Sequence, residues 1–177
     1  MANDVFCYDN ATVADTYANG FAALNLEALG WETVGFGSLS ALPGKIEAVA
    51  GDGIKHLFIL DHGYLNEAEP TGEGDFKHVV MEVGSTRFHI GNFSHYAAYF
   101  ERIGKSVASD GVVRFGHCTL GQDGPLMEKL AAALGRTVKA RTETNIGDPL
   151  LNMMKQAFDG GRWRVVTADG KHSWADL

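Results

Sequence analysis

Short apolar runs alternate with helical stripes of apolar residues along most of this chain, and this alternation constrains the fold more than any other feature. Apolar runs bounded by turn residues predict buried strands, whereas apolar residues three or four positions apart predict helices packed on one side. The predicted strands are Val5–Tyr8, Trp31–Phe36, His56–Leu60, Val112–Phe115, Thr137–Ala140 and Trp163–Thr167. Strands joined through helices favour an α/β fold with a mainly parallel sheet that helices cover on both faces.

The helical stripes fall between these strands. The predicted helices run from Val13 to Ala28, Leu39 to Ala50, Tyr96 to Val107, Leu126 to Leu134 and Asp148 to Phe158. Asp123 can cap the fourth of these helices. A β-hairpin insertion is predicted between the third and fourth strands, because apolar residues alternate on either side of a Gly84–Ser85 turn. No repeat or linker divides the 177 residues, so a single domain spanning residues 1–177 is expected.

Composition narrows the classes of partner. The chain carries 15 basic and 22 acidic residues, a net charge of −7, and shows no basic stripe, which argues against nucleic acid or an anionic membrane as a partner. Two cysteines make no disulfide framework. The N-terminus lacks a signal-peptide pattern and no apolar stretch is as long as a membrane span, so a cytoplasmic location is predicted, with export by a dedicated secretion system left open.

Two chemically active side chains follow predicted strands. His62 comes just after the strand that ends at Leu60, and Cys118 comes just after the strand that ends at Phe115. Ligands of open α/β sheets bind outside the carboxyl ends of the strands, so neighbouring strands would present both side chains at one edge. A thiol becomes a good nucleophile beside a base. Gly63 permits a sharp turn, and its N–H together with that of Cys118 would hold an oxyanion.

These two strand ends carry a family resemblance. The segment Leu57–Gly63 resembles the hydrophobic-strand-then-His-Gly motif of caspase-like cysteine peptidases, and Val112–Cys118 resembles their second motif, an apolar strand that ends in the nucleophilic Cys. The spacing of 56 residues (118 minus 62) is close to the caspase spacing. Residues after Cys118 look like the helix and strand that follow in bacterial relatives such as CHAT-type peptidases. The resemblance therefore implies a caspase-like fold.

The function that this resemblance implies is a cysteine endopeptidase acting on peptide or protein substrates, without a cofactor or a metal. Cys118 would attack the carbonyl, His62 would transfer protons, and the amides of Gly63 and Cys118 would bind the oxyanion. One alternative is a catalytically inactive caspase-like module that binds a protein or peptide partner in the same cleft. A ligand-binding flavodoxin-like domain is a further alternative, although the chain has no Gly-rich phosphate loop. The sequence indicates no oligomeric state.

Four other residues complete the expectations. Asp9, at the end of the first strand, would favour a Lys or Arg side chain before the scissile bond, although capping of the following helix by Asp9 or Asn10 is the preferred explanation of the polar residues there. His117 is expected to be structural, because neighbouring residues of an extended chain point to opposite sides. His89 and His95 do not have the spacing of a metal site.

Overall fold

The computed structural model describes residues 3–10, 23–65, 79–117, 119–142 and 162–176. Its strands are β1 (Asn3–Asp9), β2 (Glu32–Phe36), β3 (Ile54–Leu60), β4 (Gly63–Leu65), β5 (Val79–Val83), β6 (Thr86–Phe88), β7 (Val107–Phe115), β8 (Thr137–Arg141), β9 (Arg162–Val166) and β10 (His172–Asp176). Its helices are α1 (Leu42–Val49), α2 (Ala97–Ser106) and α3 (Gly124–Leu134), and residues 23–28 are also helical. Short 3₁₀ turns cover Phe93–His95 and Leu120–Gln122.

Seven strands form one sheet in the order β10-β9-β8-β7-β3-β1-β2. The strands from β8 to β2 are parallel, and β9 and β10 add an antiparallel edge. Among the five parallel strands, the order along the chain is that of doubly wound folds, which reverses direction between β1 and β3. Loops that leave the sheet at such a reversal open a crevice at the carboxyl ends of the strands, which makes this the expected edge for a ligand.

The main core lies on one face of the sheet, called here the first face. Alternate strand residues such as Val5, Ile59 and Phe115 point into it, and buried residues of α1, α2 and α3 pack against them. The opposite, second face carries a smaller cluster in which Phe6 and Phe58 pack with residues of the helical segment 23–28. Described helices therefore lie on both faces, in agreement with the α/β expectation.

Strand β5 belongs to the predicted hairpin, which the structure extends to a three-stranded antiparallel sheet in the order β4-β5-β6. Its apolar residues join the main core on the first face. Strand β4 was not predicted, because it has only three residues and follows the polar residues Asp61 and His62. The predicted loop Asn66–Asp75 and the predicted helix Asp148–Phe158 lie outside the described residues, as do residues 13–22 of the predicted first helix.

The expectation that Trp163–Thr167 is the last strand is wrong, because β10 follows it and pairs with β9. The period-two apolar signal is weak in β10, whose residues are largely exposed at the sheet edge. Trp174 is 45% exposed there, and its ring lies against the guanidinium groups of Arg162 and Arg164. Within the described parts of the chain, no helix is long and apolar enough to cross a membrane.

Candidate functional site

The strands that lead to His62 and Cys118 are neighbours in the sheet. β3 and β7 pair in parallel, and their register joins Leu57 to Val113 and Ile59 to Phe115. The ladder continues past the end of β7, where the Gly116 N–H donates to the Ile59 carbonyl at 2.8 Å. The two carboxyl ends therefore reach the same edge at the same height. Cys118 itself lies outside the described residues.

His62 and Asp61 leave the end of β3 in different environments. The His62 side chain is exposed, whereas Asp61 is buried. Asp61 accepts the His62 N–H at 2.7 Å through Oδ1 and the Gly84 N–H at 2.6 Å through Oδ2. Burial, together with the nearby charge of Asp9, raises the pKa of Asp61 to about 7 against these two hydrogen bonds. Asp61 thus holds the β5–β6 turn against the residue that carries the candidate base.

The β5–β6 turn is also packed closely against the segment that follows β2. Gly84 has φ +58°, a left-handed conformation that glycine adopts without strain. A Cβ atom at this position would lie 2.4 Å from the backbone of Gly37, and the Ser85 N–H donates to the Gly37 carbonyl. The turn therefore reaches both Asp61 and the end of β2, which fixes the hairpin over the carboxyl edge of the sheet.

His117 leaves the end of β7 on the side of the first face and is 1% exposed. Its Nε2–H donates to the Glu82 carbonyl at 2.8 Å, and its Nδ1 has no hydrogen-bond partner among the described residues. Burial, together with the charge of His62, lowers the pKa of His117 to about 4 against the hydrogen bond to Glu82. A neutral, buried imidazole of this kind acts as a hydrogen-bond donor and is inaccessible as a general base. The expectation that His117 is structural agrees with this geometry.

A strained turn follows position 118. Thr119 is fully buried and has φ +60°, which places a β-branched residue in the left-handed region. The 3₁₀ turn Leu120–Gln122 begins directly after it. A Cβ atom on Gly121 would lie 2.6 Å from the carbonyl oxygens of Ala140 and Arg141, so the turn presses against the end of β8. Strained backbone of this kind collects at functional sites because the surrounding structure must hold it in place.

Asp123 connects this turn to the hairpin. Its Oδ1 accepts the Leu126 N–H at 2.9 Å, which caps the first turn of α3, as the sequence predicts. Its Oδ2 accepts the Val79 N–H at the start of β5, at 3.0 Å. One buried carboxylate therefore ties the hairpin to the segment that leads away from Cys118.

Gly63 begins β4, directly after His62. The Glu82 N–H donates to the His62 carbonyl at 2.9 Å, so His62 and Glu82 form a hydrogen-bonded pair of the antiparallel ladder. Directly opposed residues alternate between bonded and non-bonded pairs. The next pair, Gly63 with Met81, is consequently non-bonded, and the Gly63 N–H points away from β5. The pairing with β5 therefore does not use the Gly63 N–H.

Asp9 ends β1 and is 3% exposed. It follows the alternation of Val5 and Cys7 and so lies on the first face, the side from which Asp61 accepts the Gly84 N–H. Its charge contributes to the raised pKa of Asp61. The two carboxyl groups are therefore near each other at the reversal between β1 and β3, whereas the opposite strand parity directs His62 to the second face.

The second face is positively charged next to the end of β7. Arg114 and Lys139 are register partners on β7 and β8, and both point to this face. Burial lowers the pKa of Lys139, and the neighbouring charge of Arg114 lowers it further. The described residues contain no cluster of three or more His, Cys, Asp or Glu that could hold a metal ion.

Sequence reasoning identified the strand ends and missed the contacts between them. Asp61 and His117 were visible as polar neighbours of the candidate residues, but their partners Gly84 and Glu82 lie 23 and 35 positions away along the chain. Thr119 carried no signal, because threonine rarely adopts the left-handed conformation that it has here. Comparison of the chain with family models, with curated proteins and with solved structures found no match.

Proposed function

We propose that this protein is a caspase-like cysteine peptidase in which Cys118 is the nucleophile and His62 is the general base. The observation that carries the proposal is the register of β3 and β7. From His56 onwards, partners in these strands are offset by 56 positions (115 minus 59), which is also the spacing of His62 and Cys118 (118 minus 62). If this register continued past the strand ends, 62 and 118 would be opposite positions, on the second face by strand parity.

The surroundings of this edge support a reactive thiol. A thiolate is stabilised by a nearby histidine and by positive side chains. Arg114 and Lys139 face the second face, the side to which strand parity would assign position 118. The other cysteine, Cys7, is expected to be unreactive, because it is fully buried and burial raises its pKa. One thiol is therefore proposed to be reactive, and the other is held in its neutral form.

The proposed reaction is acyl transfer followed by hydrolysis. His62 takes the thiol proton while the sulfur attacks the substrate carbonyl, and it returns that proton to the leaving amine; water then cleaves the thioester. The N–H of Gly63, which points away from β5, and the N–H of Cys118 would bind the oxyanion. The strained turn at Thr119 supports the assignment, since sharp strand-to-helix turns present nucleophiles in other hydrolases.

The proposed substrate preference is a Lys or Arg side chain before the scissile bond, recognised by Asp9. Its carboxylate is buried beside Asp61, so a substrate cation would have to reach it from within the carboxyl edge. A charge-assisted pair at such a position is worth about 2 kcal/mol, so Asp9→Ala should reduce the preference for basic over apolar residues by about tenfold or more. Hydrolysis of a peptide library measures this preference. A wild-type preference for acidic or apolar residues before the scissile bond would contradict the proposed role of Asp9.

The proposal is tested most directly by thiol reactivity. We expect iodoacetamide to alkylate Cys118 of the native protein at least about tenfold faster than a free cysteine near pH 6, where an unactivated thiol is almost wholly protonated. His62→Ala should remove this advantage, and Cys7 in the same molecule is the internal control because it is buried. Mass spectrometry of the two cysteine-containing peptides gives both rates. Equal, slow alkylation of the two cysteines would favour the inactive binding module instead.

A further inference from the structure

The main chain of Glu82, in strand β5, forms hydrogen bonds with the residues that follow β3 and β7. The Glu82 N–H donates to the His62 carbonyl at 2.9 Å, and the Glu82 carbonyl accepts the His117 Nε2–H at 2.8 Å. The chain around the candidate base and the chain entering position 118 are therefore held by the two polar groups of Glu82. Hydrogen bonds of normal length at both groups make this a direct link between the ends of β3 and β7.

The His117 ring is well held in this arrangement. Its centroid lies 5.6 Å from that of Phe115, and the side chain is almost completely buried. Because a carbonyl oxygen accepts from Nε2, the proton of the neutral ring is on Nε2. The charge of His62, at the end of β3, acts on the ring, and the side chain of Glu82 pairs with Arg87 on the neighbouring strand β6. Asp61, at the end of β3, also bonds the hairpin on this face through the Gly84 N–H.

We propose that His117 is a positioning residue, which sets the separation of His62 and Cys118 by bonding the last residue before the nucleophile to Glu82. The inference rests on the proposed function, since it assigns His117 a role in the same dyad. His117 touches no substrate and moves no proton. It acts through the main chain, because His117 directly precedes Cys118 in the sequence.

A neutral donor suits this role better than a charged one. During the proposed reaction His62 becomes an imidazolium, and a second positive charge at His117 would oppose that step by Coulomb repulsion. Burial keeps His117 neutral, so the Glu82 carbonyl keeps its donor while the charge of His62 changes. The separation of base and nucleophile is thereby made independent of the protonation state of the base.

The experiment compares His117→Gln, which retains an N–H donor at the position of Nε2, with His117→Leu, which removes it. Displacement of a reacting group by about 1 Å costs up to a hundredfold. We expect His117→Leu to slow alkylation of Cys118 by at least about tenfold and to move its pH–rate profile towards that of an ordinary thiol, with a pKa of about 8.5. His117→Gln should restore the rate to within about threefold of wild type, as expected for a retained hydrogen bond.

His56→Gln is the matched control, because His56 bonds Asp4 at the amino end of β3, away from the site. It should leave the alkylation rate and profile unchanged. A folded His117→Leu protein with the wild-type rate and profile would overturn the inference. So would a His117→Gln protein as slow as His117→Leu, because the donor would then not be what matters.

A measurement on the wild-type protein covers the case in which His117→Leu does not fold. Nitrogen-15 NMR of the histidine rings at pH 7 should show His117 as the neutral Nε2–H form, and a proton on Nδ1 would overturn the inference. Failure of the proposed function gives a different pattern: His62→Ala would then leave the wild-type alkylation rate unchanged. In that case there is no dyad to position, and the inference falls with it.

Discussion

The ends of β3 and β7 each carry a histidine, and the two histidines lie in opposite environments. His62 is exposed, whereas His117 is buried and bonded to the hairpin. At both strand ends, the residue that faces the hairpin is buried and forms a hydrogen bond with the backbone of the hairpin. Asp61 accepts the Gly84 N–H, and His117 donates to the Glu82 carbonyl. The comparison teaches that one face of the carboxyl edge fixes the backbone. The proposed dyad is assigned to the other face.

Burial shifts the pKa values of Asp61 and His117 in opposite directions for one reason. A buried group favours its neutral form, which raises the pKa of an acid and lowers that of a base. The pKa of Asp61 rises to about 7, and that of His117 falls to about 4. Burial therefore shifts both groups on the hairpin side of the site towards their neutral forms.

The largest expected effect tests the chemical side of the comparison. Cys118→Ala and His62→Ala should each lower kcat/KM for peptide hydrolysis by at least about a thousandfold, since nucleophile and base act as a unit. His62 is exposed, so its replacement should change the free energy of unfolding by less than about 0.5 kcal/mol. Peptide-library hydrolysis and urea unfolding measure the two quantities, with Cys7→Ala as the control that retains activity. An active Cys118→Ala protein would refute the nucleophile.

The next effect is the pH dependence of stability, to which Asp61 and His117 contribute with opposite signs. The folded pKa of Asp61 lies above its unfolded value, so its contribution to stability is present below about pH 4 and is lost as pH rises to about 7, by about 4 kcal/mol. The folded pKa of His117 lies below its unfolded value, so its contribution is present above about pH 6.5 and is lost as pH falls to about 4, by about 3 kcal/mol.

These opposing slopes should largely cancel in the wild-type protein between about pH 4 and 6.5. Asp61→Asn should expose the His117 slope, so that stability rises with pH, and His117→Gln should expose the Asp61 slope, so that stability falls with pH. Urea unfolding at a series of pH values gives both curves. If the free energy of unfolding depended on pH in the same way in both variants, the pKa values of Asp61 and His117 would not be shifted in opposite directions.

A third test compares the two histidines directly. His117→Ala should cost about 3 kcal/mol, because it opens a cavity and leaves the Glu82 carbonyl without its donor. His62→Ala serves as the exposed counterpart, with almost no cost expected. Thermal and urea unfolding of the two variants under one set of conditions provide the measurement. Equal costs would mean that the burial difference between the strand ends has no energetic consequence.

The smallest effect concerns the strained turn after β7. At ordinary buried positions glycine is less stable than alanine, but at a left-handed position the order reverses. Thr119→Gly should therefore be more stable than Thr119→Ala by about 1 kcal/mol. The Gly121 position of the same turn gives the converse test, since Gly121→Ala should be destabilising through contact with β8. A Thr119→Ala protein more stable than Thr119→Gly would argue against strain at Thr119.

The coarse fold and the edge of the site were predictable because they depend on local patterns. Alternating and helical apolar spacing marked the parallel strands and the helices, and Asp123 marked the start of α3. Strand β10 was missed because an edge strand buries little apolar surface. Strand β4 was missed because three residues carry too little pattern.

The sequence by itself determined the alternation of strands and helices, the polar residues just past β3 and β7, and the spacing of 56 between His62 and Cys118. The tertiary structure decided that β3 and β7 are neighbours with that same offset, that Glu82 links their ends, and that Thr119 is left-handed. The reason is physical: periodicity records which residues are buried. Partners distant along the chain are chosen by packing, through contacts that no local pattern encodes.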